Sequence, residues 1–186
     1  GDDTFTLTAN ATAGTLVGGS GNDTFDLGGF TLTQSGALDG GAGTGDVLKG
    51  AAAFGLTGSN AGTSGGLSGA SGNWTGEENL TGTTGADTFT IANGSTLTGA
   101  IDGLGGNDTI TVSTGTIAYT VNGSNSGTSN RAASWANIEN LTGGTGADTF
   151  VFNTGATLTG TASGLAGADT FTLNDNVSAA TLLGGN

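Results

Sequence analysis

The chain contains no cysteine, proline, histidine or methionine, and only two basic residues, Lys49 and Arg131, in 186. Without cysteine there is no disulfide, thiolate site or iron–sulfur site. Without histidine the usual general base is missing, and so is the commonest transition-metal ligand. No apolar run approaches the roughly 18 residues that span a bilayer, and no secretory leader is visible. The absence of methionine, at position 1 included, leads us to expect a processed segment or an excerpt of a longer chain. Against two basic residues stand 15 acidic ones, for a net charge of −13. That balance argues against nucleic acid and against insertion into an anionic membrane. Divalent cations are the natural partner of such a surface. A cysteine-free, lysine-poor chain rich in Thr, Gly and Asn suits an extracellular or cell-surface location.

What the chain has is glycine, 40 residues of it, together with a period. The triplet Asp-Thr-Phe stands at Asp3, Asp23, Asp87, Asp148 and Asp169, with Asp-Thr-Ile at Asp108 and a looser Asp-Val-Leu at Asp46. The steps between neighbouring motifs are either short or close to twice as long. One unit is therefore about 20 to 21 residues, and a fixed period of this size is the signature of a stacked-repeat fold. The long steps, Asp46 to Asp87 and Asp108 to Asp148, each hold two units.

Within a unit, positions two and four after the aspartate are apolar: Phe25 and Leu27, Phe89 and Ile91, Ile110 and Val112, Phe150 and Phe152. Positions one and three are mostly threonine. This alternation of aromatic or branched residues with polar ones predicts a β-strand, apolar side in and Thr side out. A second strand is predicted at Thr-Leu-Val or Thr-Leu-Thr, as at Thr15, Thr31, Thr96 and Thr157, with Gly, Asn and Ser supplying the turns. Nothing has helical periodicity. We therefore expect an all-β parallel β-solenoid, a β-helix or β-roll of about nine coils and right-handed, with a rod length of roughly 43 Å at about 4.8 Å per rung.

A longer order is superimposed. Trp74 to Trp135, Asp87 to Asp148 and Glu78 to Glu139 share one spacing, equal to three units. The blocks are 23–86, 87–147, and 148–186 joined to 1–22, each with three units. Joined end to end, the termini read TLLGGNGDDTFTL, which matches TLVGGSGNDTFDL at Thr15–Leu27. Residues 1–186 are thus expected to be a single segment, one period of a tandem or stacked array that self-associates from the Asn186 side to the Gly1 side.

The turn before each aspartate is glycine-rich. Gly-Gly-x-Gly-x-Asp-x-apolar-x is complete at Gly18–Asp26 and Gly143–Val151, and partial at Gly82, Gly103 and Gly164. These turns resemble the calcium-binding repeats of RTX (hemolysin-type) proteins. The resemblance implies calcium held by Asp3, Asp23, Asp87, Asp108, Asp148 and Asp169, with the turn carbonyls of Gly18, Gly19, Gly21, Gly143, Gly144 and Gly146. RTX repeats recur every nine residues, whereas these recur once per unit, so calcium would line only one edge. Aspartates about 5 Å apart on adjacent rungs repel by roughly 1 kcal/mol in water and roughly 3 at an effective dielectric of 20. A cation would relieve this, and so would hydrogen bonds from the following turn amides, as in Asx-turns.

The unit length and the Thr/Gly/Asn-rich tracts also resemble giant bacterial adhesins of the filamentous-hemagglutinin kind. That resemblance implies a structural segment of an extracellular fibre, adhesin stalk or biofilm matrix. The alternative is a calcium-binding module of a secreted toxin or enzyme. The Thr-x-Thr rows also resemble ice-binding faces, although Asp26 and Val151 interrupt them. Trp74 and Trp135 are open to a sugar-stacking role but more often such a Trp closes an irregular core. Glu77, Glu78 and Glu139 look like a solvated face. Adjacent Glu77 and Glu78 would point to opposite faces of a strand, and only Glu78 recurs, so no enzyme is expected.

Overall fold

The structure, a computed structural model, describes residues 1–69 and 72–185. Asn186, named in the end-to-end expectation, lies outside them. The described residues form 23 strands and no helix. Two ten-stranded sheets run the length of the molecule, and a three-stranded sheet joins Ala11–Ala13, Leu32–Gln34 and Leu67–Gly69. The first long sheet begins at Thr4–Thr6 and ends at Thr170–Leu173, while the second begins at Leu16–Ser20 and ends at Ser178–Leu183. At about 4.8 Å per strand, ten strands extend about 43 Å.

Most pairs are parallel and join equivalent residues of successive units. Thr4, Phe5 and Thr6 face Thr24, Phe25 and Asp26. Thr88 to Ile91 face Thr109 to Val112, and Thr149 to Phe152 face Thr170 to Leu173. The period-two pattern sets this register, because a slip of one residue would turn every Phe and Ile to water. Phe25, Leu27, Phe89, Ile91, Ile110, Val112, Phe150 and Phe152 are all buried in one continuous core. Rings stack along the sheets: Phe5 on Phe25 at 4.9 Å, Phe54 on Phe89 at 5.2 Å, and Tyr119, Phe150 and Phe171 in one column at 5.3 and 4.7 Å. Such offset aromatic contacts add to the area they bury.

The parallel order is broken twice, at related places. Ala53–Gly58 and Ala61–Ser64 form an antiparallel hairpin in the second sheet, and Ala61–Ser64 then pairs antiparallel with the Trp74 strand. Ala118–Val121 and Ser126–Ser129 do the same in the first sheet, beside the Trp135 strand. Trp74 and Trp135 are fully buried, each against a hairpin glycine, Gly62 or Gly127, where a Cβ would fall onto the indole. The tryptophans thus close the core where the path reverses.

These insertions also move the motif between sheets. Strands following Asp3, Asp23 and Asp46 lie in the first sheet, those following Asp87 and Asp108 in the second, and those following Asp148 and Asp169 in the first again. Two transfers are an even number. The motif strand therefore sits in the same sheet at both ends of the molecule.

Candidate functional site

The motif aspartates point inward and are tied to one another along the axis. Asp3 N–H donates to Asp23 Oδ1 at 2.7 Å, Asp23 N–H to Asp46 Oδ1 at 2.7 Å, and Asp46 N–H to Glu78 Oε2 at 3.0 Å. A second ladder runs from Asp87 N–H to Asp108 Oδ1 and from Asp108 N–H to Glu139 Oε2, both at 2.7 Å. A third runs from Ile117 N–H to Asp148 Oδ1 at 2.7 Å and from Asp148 N–H to Asp169 Oδ1 at 2.9 Å. Asp23, Asp46, Asp87, Asp108 and Asp148 are buried, Asp169 is half-buried and Asp3 is exposed. The accepting carboxylates, Asp23, Asp46, Asp108, Asp148 and Asp169 among the aspartates, each take up an amide that the strand ladder leaves free where the turn enters the strand. Charge-assisted bonds of this kind are about twice as strong as neutral ones. Burial still raises the pKa of Asp108 and Asp148 above the ordinary aspartate value.

The glycine turns are shaped around these carboxylates. The glycine five residues before the aspartate, at Gly18, Gly82, Gly103, Gly143 and Gly164, lies directly against Oδ2 of Asp23, Asp87, Asp108, Asp148 and Asp169. A side chain there would land on the carboxylate. In two turns Oδ2 also accepts an amide, Thr83 N–H at Asp87 (2.7 Å) and Gly144 N–H at Asp148 (2.8 Å). The donors belong to the preceding turn and the neighbouring unit rather than to the following turn, which corrects the Asx-turn expectation. A carboxylate at the start of a strand has its own following amides committed to the sheet.

Two glutamates end the ladders, and they are not a solvated face. Glu78 is buried and Glu139 half-buried. Each lies directly before a strand paired in register with that of the aspartate it serves, Asn79 beside Val47 and Asn140 beside Thr109. The second glutamate oxygen accepts from Asn60 Nδ2 at 2.9 Å in one block and Asn125 Nδ2 at 2.8 Å in the other. Each of these asparagines also takes Thr98 or Thr159 N–H at 2.9 Å. Both adopt the left-handed conformation, φ 47° and 45°, which asparagine tolerates. Sequence reasoning passed over this clamp. Its signal was the repeated Gly-Ser-Asn-x-Gly at Gly58 and Gly123.

Glu77 is the exception. It is fully buried, neither carboxyl oxygen has a hydrogen-bond partner among the described residues, and the corresponding residue of the next block is buried Ile138. Burial, then the neighbouring Asp46, Glu78, Asp39 and Asp23, pushes its pKa up to about 9.

Calcium would have to use what the ladders leave over. Among the described residues, Oδ2 of Asp23, Asp46, Asp108 and Asp169 is buried without a donor, beside the turn carbonyls, whereas a calcium ion takes six to eight oxygens. Among the same residues no three acidic side chains converge as a metal site. On the outer face Thr90, Thr111 and Thr142 stand in register, followed by Ser163 and Leu183. Asp26 is paired with Lys49 at 3.1 Å. In comparisons with known proteins, no family model, curated protein or solved structure matches this chain. The fold and the ladders define an all-β protein of stacked, mostly parallel strands.

Proposed function

We propose that the chain is a right-handed parallel β-solenoid of about nine coils, each of roughly 20 to 21 residues, serving as a structural segment of an extracellular fibre or adhesin stalk. Its action is mechanical. Backbone ladders run along the axis, the apolar stack excludes water, and the acidic skin keeps the rod soluble and apart from polyanions. The observation that carries this reading is the carboxylate relay, which ties most successive units of the two long sheets through mostly buried side chains. A catalytic or transport site would instead gather such groups at one open place.

A chain carrying three copies in tandem tests the reading. Electron microscopy is expected to find straight, stiff particles that lengthen by about 48 Å per copy, ten strand spacings of about 4.8 Å. Separate beads on a flexible string would overturn it.

A second reading is the calcium-binding module of a secreted toxin or enzyme, favoured by the four buried Oδ2 atoms without a donor. It predicts that millimolar calcium raises the melting temperature and that a chelator lowers it. An unchanged melting curve under both conditions removes calcium from the account.

A further inference from the structure

We infer that the two ends of the molecule are complementary docking faces, and that a second copy of this chain adds head to tail in one register. This rests on the rod reading above. At one end, Phe5, Leu7 and Leu16 are only half-buried. At the other, Phe171 and Leu182 are half-buried, with Leu173 49% exposed. The residues that correspond to them inside the rod, such as Phe25, Leu27, Leu38, Phe150 and Phe152, are buried. Each end is a cut face of the core with an unpaired sheet edge, and unpaired edges recruit strands.

Three features single out another copy as the occupant. The first is the hydrogen-bond relay. Among the described residues, the ladder through Asp148 stops at Asp169, whose own N–H has no carboxylate above it, while the ladder through Asp23 starts at Asp3, whose carboxylate receives no amide from within the chain. Asp169 N–H of one copy onto Asp3 Oδ1 of the next makes one ladder that terminates at Glu78. The second is spacing. Phe5 and Leu16 are as far apart along the chain as Phe171 and Leu182. Pairing Phe171 with Phe5 in the first sheet therefore sets Leu182 on Leu16 and Leu183 on Val17 in the second. The ring column Tyr119, Phe150 and Phe171 then continues into Phe5 and Phe25. The third is parity. Because the motif changes sheets twice, the strands that must meet belong to the same sheet at both ends.

The polarity follows from the same groups. Two Asp3 ends would bring carboxylates together, and two Asp169 ends would bring donors without acceptors. Only the head-to-tail union satisfies both.

The test uses separate chains blocked at one end each. Leu7 N–H points inward to Asp26 O, so Thr6 N–H, on an exposed residue, points out from the first edge. Asn174 N–H points inward to Phe152 O, so Leu173 N–H points out from the last. Proline at either position removes an outward donor without touching an internal bond. The unaltered chain is expected to form long assemblies in analytical ultracentrifugation. Thr6→Pro and Leu173→Pro are each expected to stay monomeric, and their equimolar mixture to give a species of twice the monomer mass and nothing larger. That mixture also reports that both variants are folded, since misfolded chains would not pair one to one.

An unaltered chain that remains monomeric overturns the inference, while straight tandem particles would leave the rod reading standing. Assembly by either single variant, or no dimer from the mixture, overturns the register and leaves self-association through some other surface. Flexible tandem beads would remove the rod reading itself, and this inference with it.

Discussion

Replacing Asp148 with alanine is expected to lower stability by about 2–6 kcal/mol, because it strands two buried amides at about 1–3 kcal/mol each. Ile117 N–H and Gly144 N–H would lose their acceptors at Oδ1 and Oδ2. Asparagine keeps one acceptor and turns an amino group toward the other amide, so Asp148→Asn should fall between the two. The partner glycine gives an independent approach to the same contact. Gly143→Ala sets a methyl on the Asp148 carboxylate and should cost about 1–3 kcal/mol, whereas Gly105→Ala, with nothing near the added atom, should be close to neutral. Thermal unfolding of the four variants measures this order. An Asp148→Ala chain that melts within a degree of the parent would show that the carboxylates do not hold the units together.

Replacing Glu77 with isoleucine is expected to act in the opposite direction and raise stability at neutral pH by about 3 kcal/mol. The carboxyl titrates near 4.5 when unfolded and near 9 when folded. The folded state therefore binds the extra proton throughout that window. Its contribution is fully present below pH 4.5 and is lost steadily as pH rises toward 9. Asp108 and Asp148, also held above their ordinary value by burial, act with the same sign. The parent should accordingly melt higher in mild acid than at neutral pH. Isoleucine removes the Glu77 part of that slope and fills the site as Ile138 does in the next block. At roughly 2–4 °C per kcal/mol for a chain of this size, the gain at pH 7 is about 6–12 °C. Glu77→Gln should flatten the pH dependence without the apolar gain. An unchanged slope of melting temperature against pH in both variants would place the titrating group elsewhere.

Much of the molecule was legible from neighbouring residues alone. Asp-Thr-Phe-Thr-Leu has one face for a core and one for water, so Phe25, Phe89 and Phe150 could be set inside without any knowledge of their partners. The glycine before each aspartate was legible as a pattern, but its reason was not. It read as a metal turn, and in the structure it makes room for a carboxylate that, at Asp23, Asp108, Asp148 and Asp169, accepts an amide from the preceding unit. The glutamates were misplaced for a related reason. Glu77, Glu78 and Glu139 carry nothing local that distinguishes an outward carboxylate from one drawn inward by Asn60, Asn125 or a stranded amide 31 or 32 residues away.

By itself, then, the sequence determined the strand and its inward face, because both rest on periodicity along the chain. Only the tertiary structure decided that the tryptophan units fold back as antiparallel hairpins, that the motif changes sheets twice, and that the aspartates form relays. Alternation of apolar and polar residues is the same in parallel and antiparallel strands, so direction has to come from pairing between distant segments. The acceptor for a free amide is likewise chosen in space, by whichever carboxylate the next unit brings within reach.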